Sequence, residues 1–152
     1  MKKSRSALFS CCFAIFLALA GALHPPQLYA QRVSDKDIEN MMRNLRDDAK
    51  AFRPNFESAL KKSVIRKTSQ EKDARSLVSS FEKQTDAMLS EFKKTKKGDV
   101  AIETTLDNAR QIDKLLSGLQ LEPQIISRWQ KVQLELNQVA NAFGIQTHHG
   151  RS

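Results

Sequence analysis

Apolar side chains recur every three to four residues along four successive stretches of this chain, and this spacing restricts the fold more than any other feature. In residues 33–67 the repeat is unbroken and places its apolar side chains along one side of a helix. These positions are Ile38, Met41, Met42, Leu45, Ala49, Phe52, Phe56, Ala59, Leu60 and Val64. Pro54 lies inside the stretch and removes a backbone hydrogen bond. Because the repeat keeps its phase across Pro54, the sequence predicts one kinked helix, which Ser34 can cap.

A second helix is indicated by the capping box that Thr68 and Glu71 form at its start. Its inward positions are Ala74, Leu77, Val78, Phe81, Met88, Leu89 and Phe92, with Thr85 as a polar member that can bond the preceding turn. A lysine cluster follows at Lys93, Lys94, Lys96 and Lys97. Cations suit the negative end of the helix dipole, and Gly98 is then expected to stop the helix.

Two further helices complete the pattern. The third is predicted from about Asp99 to Leu119, and Pro123 suits the first turn of the fourth, which Gly144 is expected to end in a left-handed cap. Inward positions are Ile102, Leu106, Ala109, Ile112, Leu115 and Leu116 in the third helix, and Ile125, Ile126, Trp129, Val132, Leu136, Val139, Ala140 and Phe143 in the fourth. Four helices joined by short turns predict an all-α, up-down-up-down four-helix bundle over residues 31–145, with a disordered tail at 146–152.

Residues 1–30 have the three parts of a secretory signal peptide. The basic residues Lys2, Lys3 and Arg5 come first, the apolar run "ALFSCCFAIFLALAGAL" follows, and "HPPQLYA" leads to Ala30 before the expected cleavage site. The alternative is an uncleaved anchor, since the run approaches the length that spans a bilayer. Cleavage predicts an exported protein, periplasmic or extracellular, with no stable transmembrane segment.

Removal of the leader would change the chemistry available to the chain. It takes away three basic residues, both cysteines and the only tyrosine, and leaves 22 basic and 17 acidic side chains, a net charge of about +5. The remaining 122 residues suffice for one domain with one core. They offer neither a disulfide nor a thiolate nucleophile.

The usual catalytic and metal centres of helical bundles need residues that this sequence lacks. Dinuclear iron bundles use inward Glu-x-x-His pairs, whereas the only histidines after the leader are His148 and His149, beyond the last helix. That adjacent pair could hold a metal ion only weakly, because a flexible tail must first be ordered. Paired carboxylates such as Asp47 with Asp48, and the row Asp99, Glu103 and Asp107, are typical of solvated helix faces. The sequence therefore predicts no catalytic centre and no cofactor.

The most distinctive charge pattern lies between the first two helices. Residues 61–75 contain six basic and only two acidic side chains, which gives a local net charge of +4. The basic residues are Lys61, Lys62, Arg66, Lys67, Lys72 and Arg75, and the acidic residues are Glu71 and Asp73. The first two helices also look a turn or two longer than the last two, so this tip is expected to project. Either the charges contact an anionic partner, or they complement a helix dipole and keep the protein soluble.

The anionic partner would be a surface of lipid headgroups, an acidic polysaccharide or an acidic protein. Nucleic acid is disfavoured, since export removes the chain from the genome and exposed aromatic residues for base stacking are lacking. The sequence favours a monomer or a weak homo-oligomer. The leading function is thus a non-catalytic binding or envelope-maintenance module.

Two short segments also resemble a known family. "DIENMMRNLRDDAK", residues 37–50, resembles the opening helix of the soluble periplasmic b-type cytochromes built as four-helix bundles, where Met42 would fall on the axial methionine position. "NAFG", residues 141–144, is similar to the segment that carries their axial histidine, but here Gly144 stands at that position. The resemblance implies an alternative function as a haem- or metal-binding carrier. The other interpretation of Met42 is a core residue that fills a gap.

Overall fold

The computed structural model describes residues 33–146, which form four helices and contain no strand. The helices are α1 (Asp35–Leu60), α2 (Ser69–Thr95), α3 (Asp99–Ser117) and α4 (Pro123–Ala142). Each helix packs against its neighbours in the chain, and α1 also packs against α4. This arrangement is an up-down-up-down four-helix bundle, so the predicted all-α fold is confirmed. The predicted leader, its cleavage after Ala30 and the histidine tail lie outside the described residues.

The first helix begins and continues as the sequence predicts but ends earlier. Ser34 Oγ accepts a hydrogen bond of 3.2 Å from the Asp37 backbone N–H, and the helix runs through Pro54 without a break. After Leu60 the backbone changes to tight turns. This change breaks the 3.6-residue phase, so the prediction for Val64 is wrong: its side chain is 85% exposed, and the neighbouring Ile65 is buried instead.

The start of α2 uses the predicted capping residues in a shifted arrangement. Thr68 Oγ1 accepts a hydrogen bond of 3.3 Å from the Glu71 backbone N–H. The Glu71 carboxylate reaches back to the backbone N–H of Lys67, at 2.6 Å, rather than to that of Thr68. The N–H of Thr68 instead donates to the carbonyl of Ile65. Lys67 has a positive φ of 63°, so the chain turns sharply before α2 starts.

Gly98 has a different role from the predicted stop signal. It is Lys96 that ends α2, in the left-handed conformation with a φ of 58°, while Gly98 is the residue just before α3. A Cβ atom at Gly98 would lie 3.2 Å from Phe143 Cζ and 3.4 Å from Met42 Cε. The backbone thus passes close to these two side chains, and a larger residue at Gly98 would require them to shift. Gly144, with a φ of 72°, adopts the left-handed conformation that the sequence predicts for the end of α4.

The centre of the core is an aromatic cluster contributed by three helices. The Trp129 ring of α4 lies 5.2 Å from Phe52 of α1 and 5.3 Å from Phe81 of α2, and Phe52 in turn stacks on Phe56 at 5.5 Å. The indole N–H of Trp129 donates a hydrogen bond of 2.7 Å to Asp113 of α3. The predicted core position of Trp129 is confirmed, and this one side chain of α4 contacts each of the other three helices.

The two ends of the bundle differ in how the helices line up. At one end, which we name the loop end, Lys62 pairs with Glu122 at 3.3 Å, so the α1–α2 and α3–α4 connections are neighbours. At the opposite end, the terminal end, Gly98 lies beside Met42, two turns inside α1. Both α1 and α2 are longer than α3 and α4, as predicted, but the extra turns of α1 lie at the terminal end. The projection of the tip between α1 and α2 stays a prediction.

The length of α1 separates the two ends. Its 26 residues span about 39 Å at 1.5 Å per residue. The length of α1 therefore separates the side chains at the loop end from the lysine cluster at the terminal end. None of the helices within residues 33–146 combines the length and the apolar character that a bilayer crossing requires.

We expect Phe81→Ala to lower the free energy of unfolding by about 3 to 5 kcal/mol, because it removes burial and leaves a cavity beside Trp129. Phe81 is 1% exposed, whereas Leu134 on α4 is 59% exposed. Leu134→Ala is the matched control and should cost less than about 0.5 kcal/mol. Urea unfolding of both variants measures the difference, and equal costs would contradict the assignment of the core.

Candidate functional site

The basic connection between α1 and α2, residues 61–68, is a folded element, and we name it the basic loop. Its backbone forms consecutive turns in which the N–H groups of Lys62, Ser63, Arg66 and Thr68 donate to carbonyls three residues earlier, at 3.0 to 3.2 Å. The hydroxyls of Ser63 and Thr68 bond two of the same carbonyls, at 2.9 and 2.5 Å. This bonding gives the loop a defined conformation before it meets any partner.

The structure divides the six predicted anion-contact residues into two groups. Lys61, Lys62, Arg66, Lys67 and Lys72 are exposed at or beside the basic loop. Arg75 is half-buried and forms part of the contact between α1 and α2. The sequence pattern alone could not separate the groups, because it does not show which side chains face the neighbouring helix.

Arg75 is held by two carboxylates and one carbonyl. Its guanidinium lies 2.6 Å from Glu71 and 3.3 Å from Glu57, and it also donates to the Glu57 backbone carbonyl at 3.2 Å. The hydrogen bond from Arg75, together with that from the Lys67 backbone, lowers the pKa of Glu71 below its ordinary value. Arg75 therefore stabilises the α1–α2 hairpin, and its charge is largely neutralised within the protein.

The remaining cations of this region are largely without acidic partners. Within residues 33–146, no carboxylate lies within 4.0 Å of Lys61, Arg66, Lys67 or Lys72, and Lys62 has only its exposed pair with Glu122. Residues 61–68 include no acidic residue. Like charges close together on one ordered loop add their potentials at the surface. The basic loop is thus a concentrated positive surface at the loop end.

The lysine cluster at the terminal end is partly engaged with the protein itself. Lys93 lies 3.6 Å from Glu39 of α1, and the Lys96 ammonium lies 5.1 Å from the centre of the Phe92 ring. Lys94 and Lys97 are exposed. The lysine cluster and the basic loop each carry four positive charges. Replacing the charges of the cluster is therefore a matched control for replacing those of the loop.

A groove between α2 and α3 opens beside the basic loop. Its apolar end has a volume of about 600 Å³. A smaller, polar stretch of about 400 Å³ continues along the same two helices and shares Asp73, Leu77 and Gln111 with the apolar end. The apolar end is lined chiefly by Val64, Ile65, Ala74, Leu77, Leu115 and Leu119. The sequence predicted Leu77 and Leu115 as inward residues, but both are only partly buried because they border this groove.

Met42, the candidate cofactor ligand, lies in the core. Its side chain is fully buried on the inward face of α1, close to Gly98 and Phe143. Gly144, which the cytochrome resemblance places at the axial histidine position, follows Phe143 in the left-handed turn after α4. The core interpretation accounts for the position of Met42, and the resemblance itself stays a prediction. Met41, its neighbour in the sequence, is only partly buried.

The sequence also predicted a weak metal site at the histidine pair and two sets of solvated carboxylates. His148 and His149 lie outside the described residues, and within residues 33–146 no three potential ligands among His, Cys, Asp and Glu lie close enough to hold a metal ion. Asp99, Glu103 and Asp107 are exposed, as predicted for a solvated row. Of the neighbouring pair, Asp47 is exposed but Asp48 is half-buried.

Asp48 belongs to a cluster between α1 and α4 that the sequence did not reveal. The Lys131 ammonium lies 2.5 Å from Asp48 and 3.8 Å from Glu135. Burial, followed by the hydrogen bond and the charge of Asp48, raises the pKa of Glu135 to about 7. Burial would also raise the pKa of Asp48, but hydrogen bonds from Glu135 and Lys131 bring it below its ordinary value. Both pKa directions are those expected when Glu135 keeps its proton and Asp48 is ionised.

Comparisons with protein-family models, curated proteins and solved structures find no match to this chain.

The Glu135 carboxyl should make stability depend on pH. Because folding raises its pKa from 4.5 to about 7, its contribution is complete below about pH 4.5 and is lost as the pH rises through about 7. Glu135→Gln keeps a neutral donor for Asp48, so we expect it to stabilise the protein at pH 8 by about 1 to 3 kcal/mol. At pH 5 the gain should largely disappear.

Urea unfolding at both pH values measures this effect. Glu103→Gln, on the exposed row of α3, is the control and should behave alike at pH 5 and pH 8. A Glu135→Gln protein that is no more stable than the wild type at pH 8 would contradict the raised pKa of Glu135.

Proposed function

We propose that this protein is an exported, non-catalytic binding or envelope-maintenance module that contacts an anionic partner through its basic loop. The single observation that carries the proposal is the set of four cations on residues 61–68, Lys61, Lys62, Arg66 and Lys67. Only Lys62 among them has a carboxylate within 4.0 Å in the described part of the chain. Cations without internal partners remain available to an external anion.

The geometry of the bundle supports a local contact rather than a general attraction by net charge. At physiological ionic strength the screening length is about 8 Å, so the charges of one loop act together. The lysine cluster at the terminal end is about 30 Å away or more, because Lys93 lies beside Glu39 near the start of α1, and it contributes little at the same place. The ordered turns of the loop also reduce the conformational entropy that a contact would cost.

Several partner chemistries fit this surface. A lipid headgroup surface, an acidic polysaccharide and an acidic protein all present repeated anions, whereas nucleic acid is disfavoured because single-strand binding relies on aromatic stacking. No aromatic side chain within residues 33–146 belongs to the exposed large hydrophobic residues. The surface therefore fits electrostatic recognition without base stacking.

We expect the replacement of Lys61, Lys62, Arg66 and Lys67 with glutamine to weaken binding to dextran sulfate at least tenfold at low ionic strength, on the basis of about fivefold per basic side chain. Binding by the wild type should fall as salt rises. Dextran sulfate is a soluble polyanion without apolar groups, so it tests the charge alone. Isothermal titration calorimetry at 20 and 150 mM salt measures the affinity.

The matched control replaces Lys93, Lys94, Lys96 and Lys97 with glutamine. Both variants lose four positive charges, and each changes one residue with a positive φ, Lys67 or Lys96. The control should keep most of the affinity. Equal losses in the two variants would show attraction by net charge only, and no binding by the wild type would refute the proposed contact.

A further inference from the structure

Val64 stands at the outer surface of the basic loop, although it is apolar. It is 85% exposed, more than any other large hydrophobic residue that the structure describes. Lys61 and Lys62 precede it, and Arg66 and Lys67 follow it. Single exposed apolar residues are common and need no explanation by themselves. Here the residue is bracketed on both sides by pairs of cations, which is a more specific arrangement.

Val64 is also continuous with further apolar surface. Together with Ile65 it forms one wall of the apolar end of the α2–α3 groove, where Leu77 and Leu115 are only partly buried. The loop end therefore combines an exposed apolar residue, an apolar groove next to it and cations around it. The same part of the groove is also lined by polar side chains, Gln70, Asp73, Gln111 and Lys114, so its only carboxylate, Asp73, lies beside a lysine in this lining.

We propose that the loop end docks on the surface of an anionic lipid bilayer, with Val64 entering the boundary between headgroups and acyl chains while the four cations of the basic loop bind headgroup anions. This inference rests on the proposed function and names its partner. A bilayer interface presents anions in one layer and hydrocarbon directly beneath it. An acidic polysaccharide would match the cations, but it offers nothing for Val64 or the apolar groove.

The shape of the loop suits this docking. The hydrogen-bonded turns of residues 61–68 keep Val64 outside and Ile65 inside, so no rearrangement is needed before the contact forms. Lysine and arginine side chains have flexible apolar stems, which let their charges stay at headgroup level while Val64 enters more deeply. The contact would be peripheral and reversible, since one small apolar side chain and several cations form a weak anchor.

The test uses the mature protein and vesicles of phosphatidylcholine with 30% phosphatidylglycerol, and it compares Val64→Ser with Val100→Ser. Val100 is an equally sized residue, 78% exposed, near the start of α3 at the terminal end. We expect Val64→Ser to weaken vesicle binding at least about fivefold through lost apolar burial. Val100→Ser should bind vesicles like the wild type, and both variants should bind dextran sulfate unchanged.

A second pair of variants detects insertion directly. Val64→Trp should bind vesicles more tightly and shift its fluorescence to shorter wavelength on binding, while Val100→Trp should show no shift. The native Trp129 is 2% exposed and gives a constant background.

The outcomes separate this inference from the proposed function. Vesicle binding that is equally strong in Val64→Ser and the wild type, without a shift in Val64→Trp, would overturn the bilayer inference, while intact dextran sulfate binding would leave the proposed function standing. If the wild type self-associates as its concentration rises and Val64→Ser does not, the bilayer inference would be overturned, and a second copy of this chain would be the partner of Val64. If the wild type binds neither vesicles nor dextran sulfate, both the bilayer inference and the proposed function would be refuted.

Discussion

Packing around Trp129 is the interaction on which the rest of the structure depends. Its ring contacts Phe52 of α1 and Phe81 of α2, and its indole N–H is fixed by Asp113 of α3. A buried aromatic side chain supplies a large apolar area, and its polar atom needs one partner. Gln133 also donates to Asp113, at 2.8 Å, which holds the carboxylate in place. The positions of all four helices, and hence of both connections at the loop end, follow from this centre.

A second set of contacts, on the surface, fixes the α1–α2 hairpin and determines which charges remain available. Arg53 pairs with Glu57 at 2.8 Å and with Glu82 at 3.0 Å, and Arg75 joins Glu57 to Glu71. These pairs are partly exposed, so each contributes modestly to stability. They also neutralise Arg75, whereas the cations of residues 61–68 face solvent.

Apolar periodicity predicted the fold because all four helices bury a single face. It predicted the buried positions of Phe81, Trp129 and Met42, and the passage of α1 through Pro54, since these depend on the 3.6-residue repeat alone. It failed at Val64, where the helix had already ended and tight turns reversed the direction of the side chain.

The candidate site was predictable only in part. The basic cluster is visible as a run of residues, but the separation of Arg75 from the others depends on Glu57, which is 18 positions away in the chain. The Asp48 and Glu135 pair likewise joins α1 to α4, and no local pattern in either helix marks it. The sequence predicts Gly98 as a stop signal, because its close approach to Phe143 is a tertiary contact that no local pattern shows.

The central claim is that the loop end, and not the terminal end, is the contact surface. Hydrogen–deuterium exchange of residues 31–152, with and without vesicles containing phosphatidylglycerol, tests it most directly because it locates the contact along the whole of that chain. The account predicts slower exchange of the amides in residues 61–70 on vesicle binding, with those of residues 93–100 unchanged. Slower exchange confined to residues 93–100, or no change anywhere in vesicle-bound protein, would contradict it.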